Sequence, residues 1–213
     1  MPLQNRINPW GEILASPARG TFMGNRGGVI HNEERQIVRQ YASRRWISCL
    51  LEFKDRHRAV MSPNRYTELF FADEAVALAA GHRPCAECRR ERFNAFKQAW
   101  VKSGNPRETN FLYADEMDVV LHRTRIESGK DSGKGKVMYQ APLRSLPDGT
   151  FVHINDAAWL VKRGMLFLWT PEGYSHPRRI SDDRTVAVLT PAPIVQCLRH
   201  GYQPEIHRSA LPG

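Results

Sequence analysis

"YTELFFADEAVALAAGHRPCAECRRERFNAFKQAW", residues 66–100, decides how the chain is read. YTELFF, at the front, is aromatic-rich and reads as a strand. DEAVALAAG reads as a short helix. Asp73 is a good N-cap, alanines fill the body and Gly81 stops it. RRERFNAFKQAW reads as a second helix, with Phe93, Phe96 and Trp100 at helical spacing toward a core. Between the helices lies a turn carrying Cys85 and Cys88.

Two cysteines in a tight turn that feeds a helix make half of a tetrahedral zinc site. The following helix N-terminus helps to hold the thiolates. A thioredoxin-like redox pair is the competing reading. Such a pair normally follows a strand, and here a helix ending at Gly81 comes first. A plain structural turn is the third reading. Zinc leads, and it asks for two more ligands.

Working upstream, RRWISCLLEF (44–53) reads as a strand, KDRH as a turn and RAVM (58–61) as a returning strand. That hairpin sets Cys49 roughly opposite Met61, in a sheet that could pack beside the knuckle. Cys49 is therefore the third-ligand candidate, although a buried strand cysteine is more often a small hydrophobe. The fourth ligand is open among His31, His57 and His82. His57, at the hairpin tip, is carried forward with Cys49, Cys85 and Cys88. His82 is close in sequence to Cys85 and suits a supporting role. Cys197, in the apolar helix APIVQCLRHG, reads as core.

The charge is concentrated around this knuckle. The 213-residue chain carries a formal net charge of +9, with a pI near 9.7. Between Arg35 and Arg107 stand 15 Lys/Arg against 7 Asp/Glu, so nearly all the surplus lies there. Guanidinium forks match phosphate oxygens and release counterions. Arg83, Arg89, Arg90 and Arg92 are thus expected to face nucleic-acid phosphates, DNA more than RNA. Gly24, Gly27 and Gly28 allow a tight turn with exposed amides, but the stretch matches no phosphate-loop pattern. LWTPEGYSHPRR joins Trp169, Tyr174 and His176 to Arg178 and Arg179, a mix that suits base stacking or a core-packed turn.

The pattern elsewhere is mixed. ADEMDVVLHRTRI (114–126) reads as a third helix, and ESGKDSGKGK (127–136) as a flexible linker or loop. GTFVHI, AAWLVKRGMLFLWT and RTVAVLT read as strands punctuated by PDG and PEG turns. The expected fold is α+β: a zinc-knuckle half over 1–126, with a small antiparallel sheet and packed helices, and a β-rich half over 137–213 packed on it. No apolar run approaches the roughly 18 residues of a membrane span, and the N-terminus lacks a signal pattern. A cytoplasmic protein with no membrane partner is expected.

The stretch LFFADEAVALAAGHRPCAECR (69–89) resembles the zinc-binding N-terminal domain of the Ada DNA-repair proteins, which has a strand, an alanine-rich helix ending in Gly and an RPC-x-x-C knuckle. The resemblance covers roughly a tenth of the chain. It implies that Cys85 and Cys88 bind zinc. In Ada, an earlier Cys-x-x-x-Cys pair supplies the other ligands, and one of that pair accepts a methyl group from a DNA phosphotriester. Here KDRHRAVMSPNR holds no cysteine, and the acceptor position falls near Met61, which is no thiolate. The resemblance thus implies zinc and DNA association rather than methyl transfer. The whole chain also looks like a group of bacterial proteins sharing the landmarks MGNRG, GHRPC and LPDGTFV, which implies a family and no mechanism.

The leading expectation is a zinc-binding, nucleic-acid-binding protein of DNA repair or modification, with zinc mainly structural. A metal-dependent nuclease, with parts from His31, His57, Asp55 or Glu68, or a thiol-based repair enzyme using Cys49, is the first alternative. A zinc-stabilised protein-interaction module is the second. No G-x-S-x-G, H-E-x-x-H or P-loop pattern is present.

Overall fold

The computed structural model describes residues 1–55, 59–106, 113–126 and 135–210. In chain order these form β1 (Gln4–Ile7), β2 (Ile13–Ala15), β3 (Phe22–Arg26), β4 (Trp46–Cys49), β5 (Leu69–Phe71), α1 (Glu74–Ala79), β6 (Arg83–Pro84), α2 (Arg90–Lys102) and α3 (Ala114–Arg125). There follow β7 (Tyr139–Pro142), β8 (Phe151–Ile154), β9 (Ala157–Lys162), β10 (Met165–Thr170), β11 (Gly173–Arg179), β12 (Thr185–Val188) and α4 (Ala192–Arg199). The fold is α+β with a β-rich C-terminal half. The first sheet runs β2-β1-β5-β3-β4-β6 and the second β11-β10-β9-β8-β12-β7. The second is antiparallel throughout. The first is mixed, because β1–β5 and β4–β6 are parallel.

Helix α1 explains how the sheets meet. Its six residues are all buried, as an element apolar on every side must be. The Asp73 carboxylate accepts the Val76 N–H at 2.9 Å and caps the first turn. Gly81 ends the helix at φ +85°, and a Cβ there would lie 2.6 Å from Arg125 Cδ. One apolar cluster then joins both halves: Ile7, Phe22, Leu69 and Phe71 from the first sheet, Ala75 and Ala79 from α1, Phe151, Leu160 and Phe167 from the second. Phe93, Phe96 and Trp100 of α2 pack with Met117, Leu121 and Cys197 in a second cluster, as their spacing predicts. Cys197 is fully buried core.

The upstream hairpin differs from the sequence reading. Strand β4 stops at Cys49, and Ala59–Met61 form no strand; Arg58 lies outside the described residues. Met61 takes φ +55°, and Pro63 follows close behind, so this stretch cannot run as a ladder strand. Cys49 instead pairs with Met23 on β3. Of the 127–136 loop, residues 127–134 lie outside the described residues, while Lys136 bridges Ile126.

Candidate metal centre

The partners of β4 bring the cysteines together. β6 is two residues long and lies parallel to β4, with Ser48 beside Pro84. The Cys85 N–H donates to the Ser48 carbonyl at 2.9 Å. The next residue on each chain is then Cys49 or Cys85, so one register sets both thiols side by side. Beyond Cys85 the chain turns. The Arg89 N–H donates back to the Cys85 carbonyl at 3.2 Å, and α2 starts at Arg90. That turn brings Cys88 to the same point. All three sulfurs lie within 4.8 Å of one another. Thiolates around one tetrahedral zinc, each at about 2.3 Å, stand about 3.8 Å apart. The three thiols could therefore hold a metal ion with a small closing movement. All are free of disulfides.

Their electrostatics favour one thiolate. Hydrogen bonds from Cys49 and then Cys88 pull the Cys85 thiol down, helped by the Cys88 and Glu87 backbone N–H groups. The Glu87 N–H reaches the sulfur at 3.4 Å. The same bonds seen from Cys49, together with burial, push its thiol up. A metal ion held there would need the sulfurs as thiolates, so binding would release their protons.

Beside the sulfurs opens a cavity of about 520 Å³. Cys49, Cys85 and Cys88 form part of its wall. The outward face of the first sheet, Met23, Asn25, Ile47 and Phe70, supplies another. Leu50, Leu51, Glu52, Phe53, Val60, Tyr66, Glu68 and Glu87 complete it. The pleat explains the division. Phe22, Arg26, Trp46 and Phe71 point to the other, buried face of the same strands.

Of the histidines named as fourth ligands, His31 and His82 are elsewhere. His31 is buried with Nδ1 at 2.6 Å from Thr67 Oγ1 and Nε2 at 3.3 Å from the Ser62 carbonyl. His82 is fully buried between Trp46 and Phe71. Burial, then the Arg26, Arg125 and Lys136 charges, push its pKa well below the usual imidazole value. It stays neutral and its Nε2 faces the Arg26 Nε–H at 3.4 Å. His57 and Arg56 lie outside the described residues. Among the described residues, no fourth His, Cys, Asp or Glu joins the three sulfurs.

The arginines need correction. Arg83 and Arg89 do not face solvent, so neither meets a phosphate. Arg83 is 4 % exposed and forms a two-pronged pair with Asp118 at 2.9 and 2.8 Å. Arg89 is 3 % exposed. It donates to Ser48 Oγ at 3.1 Å, pairs with Glu74 at 3.0 Å and Glu205 at 2.7 Å, and lies over the Phe22 ring. Arg92 is half-buried against Glu74 at 2.9 Å and stacks on Tyr202. Arg90 alone of the four is exposed. These groups brace the knuckle from beneath instead. In the LWTPEGYSHPRR hairpin, Tyr174 is also internal, donating to Asp73 at 2.7 Å, while His176, Arg178 and Arg179 are exposed.

Sequence reasoning missed Glu74 and Asp118. The signal for Glu74 was present: an acid inside a helix apolar all round must be buried and must find cations. Asp118 left no such trace in the helix 114–126. No family model, characterised protein or solved structure matches the chain. No helix among the described residues is long and apolar enough to cross a membrane.

Proposed function

We propose that this is a zinc-binding protein of nucleic-acid metabolism, acting on DNA in repair or modification, with Cys49, Cys85 and Cys88 as metal ligands. One observation carries the metal half: three sulfurs from two separate segments converge within 4.8 Å. Thiolate-rich sets select zinc among the common divalent ions. Such an ion would tie the end of β4 to the turn before α2, reinforcing a two-residue strand and the Arg89–Ser48 bond.

The nucleic-acid half rests on charge. With Arg83 and Arg89 internal, the contact groups pass to the exposed Arg35, Arg39, Arg44, Arg45, Arg65 and Arg90. His57 remains the protein's own candidate for the fourth position.

The test is elemental analysis of protein purified without chelator, paired with a DNA-shift assay across a salt series. One zinc per chain is expected, lost in Cys85→Ser and Cys88→Ser. Affinity for DNA should fall steeply with salt, as counterion release requires. A metal-free protein that loads no zinc on addition sinks the first half. Absence of any shift at low salt sinks the second and leaves the first intact.

A further inference from the structure

Lys162 stands apart among the buried charged and imidazole side chains. The others all have hydrogen-bond or ion-pair partners. Lys162 is 9 % exposed and has no such partner among the described residues. It ends β9 on the face that carries Ala158 and Leu160 into the apolar cluster joining the two halves. An apolar residue would suit that register better, because an unpaired ammonium gives up hydration there.

Its neighbour breaks a second local rule. Lys162 pairs with Met165, so Arg163 and Gly164 form a two-residue turn, at φ +49° and +69°. Asn-Gly suits such a turn, and an arginine is strained at positive φ. Asp148 fixes the turn by accepting the Arg163 N–H at 2.8 Å. The Arg163 side chain is exposed and also lacks a partner among the described residues.

Both cations line a cleft of about 370 Å³, which shares no wall residue with the cavity at the sulfurs. Leu198, Pro204 and Ile206 give it an apolar wall. Asp148 is the one carboxylate lining it among the described residues, and that group already serves the turn. Two cations against one engaged carboxylate leave the cleft net positive. Burial, then the Arg163 charge, lower the Lys162 pKa, while Asp148 and the buried Asp73 act the other way. The volume is that of a site for a small organic ligand.

We propose that this cleft binds a phosphate monoester on a nucleoside-sized body, its phosphate on Lys162 and Arg163 and its body on the apolar wall. An ammonium and a guanidinium fork together match a dianionic phosphate. A free nucleotide and the 5′-phosphorylated end of a strand offer the same group. The inference is independent of the metal reading, and only the strand-end source rests on the nucleic-acid reading above.

The experiment is calorimetric titration of the full chain with adenosine 5′-monophosphate, adenosine, and single strands with and without a 5′-phosphate. The monophosphate should bind saturably and adenosine at least about tenfold more weakly, the scale of a lost charge-assisted bond. Lys162→Met and Arg163→Asn should each weaken the monophosphate by a similar factor. Both variants should fold, since Met keeps the apolar stem and Asn suits the turn. Their melting temperatures should equal or exceed that of the wild type. A phosphorylated strand that binds more tightly than the monophosphate, and loses that advantage without its phosphate, identifies the strand end as the source. A monophosphate that binds as tightly as the strand identifies the free nucleotide. Absence of saturable binding by any phosphate ester overturns the proposal, as does binding that both variants retain. A lower melting temperature in Lys162→Met with binding unchanged makes the lysine structural and overturns it too. Each of these results leaves zinc binding standing.

Discussion

Arg89 and Arg92 share one buried carboxylate, Glu74, whereas Arg26, Arg125 and Lys136 gather near Trp46 with no carboxylate in bonding distance among the described residues. In the first group Glu74 is fully buried and accepts from Arg89, Arg92, Tyr202 and the Glu205 N–H. In the second, Arg26 and Arg125 each lie 3.9 Å from the Trp46 ring. Their donors go to carbonyls, Gly11 and Gln40 for Arg26, Gly81 and Arg44 for Arg125, Ala79 for Lys136, and to the His82 and His122 rings. The first group exchanges water for a counter-charge. The second exchanges it for peptide dipoles and an indole face. The two should therefore respond in opposite directions when a charge is deleted.

The largest effect is expected at Glu74. Removing the acid from a buried pair strands the cations it served, at about 3–5 kcal/mol. Glu74→Ala should lower the unfolding free energy by that amount, read in urea as a lower midpoint with little change in slope. It should also release residues 202–207, because Glu205 and Tyr202 lose their anchor. Proteolysis at the C-terminal tail reads that second effect. An unfolding free energy within about 1 kcal/mol of wild type, against about ±0.5 for surface changes, would mean that the arginines find other partners and that the contrast between the groups is false.

The second group should be relieved by losing a charge. Burial, then Arg26 and Arg125, push the Lys136 ammonium down to about 7. His82 nearby adds no positive charge, since it is held neutral. The folded-state pKa lies below the unfolded value of 10.5. Below about 7 both states carry the proton and the fold bears the full cost. As pH rises from about 7 toward 10.5, the folded state sheds a proton that the unfolded chain keeps, so stability rises. The slope is at most about 1.4 kcal/mol per pH unit. Lys136→Met should raise the melting temperature at pH 6 and flatten this slope. Wild-type stability that is level between pH 7 and 9 would show that Lys136 is solvated and the second group is ordinary surface.

How much of this was legible in the sequence differs by region, for a physical reason. Helices α1 and α2 were legible because caps, stops and apolar spacing are local. The cysteine turn was legible because its spacing is local too. Cys49 was named as a ligand through the wrong partner strand. The hairpin argument paired it with Met61, while the true register runs through β3 and a two-residue β6. A strand of two residues leaves no periodicity to read. The charge was misread most. Composition counts a guanidinium the same whether it meets water, a carboxylate or an indole. Placing it requires Glu74, Asp118 and Trp46, which come from elements distant in the chain. The cavity was not legible at all, since its wall draws on β3, β4, β5 and the knuckle together.

Neighbouring arginines give the finest version of the comparison. Arg89 and Arg90 are adjacent in sequence, yet one is enclosed by Ser48, Glu74 and Glu205 while the other is exposed. Arg89 precedes the first turn of α2 and turns inward under Phe22, and Arg90 opens the helix on its outer side. Arg89→Ala should behave like a milder Glu74→Ala and destabilise the fold. Arg90→Ala should leave stability within about 0.5 kcal/mol. Its effect belongs to the proposed DNA contact: a few-fold loss of affinity and a salt slope shallower by about 0.9, the value of one phosphate contact on duplex DNA. The two readouts must separate. If Arg90→Ala leaves the salt slope unchanged, the outer face of α2 does not meet phosphate, and the contact shifts to the loop bearing Arg35, Arg39, Arg44 and Arg45. If Arg89→Ala changes the slope without changing stability, the inward placement of that guanidinium is wrong, and with it the division of this chain's charge into buried braces and an outer contact surface.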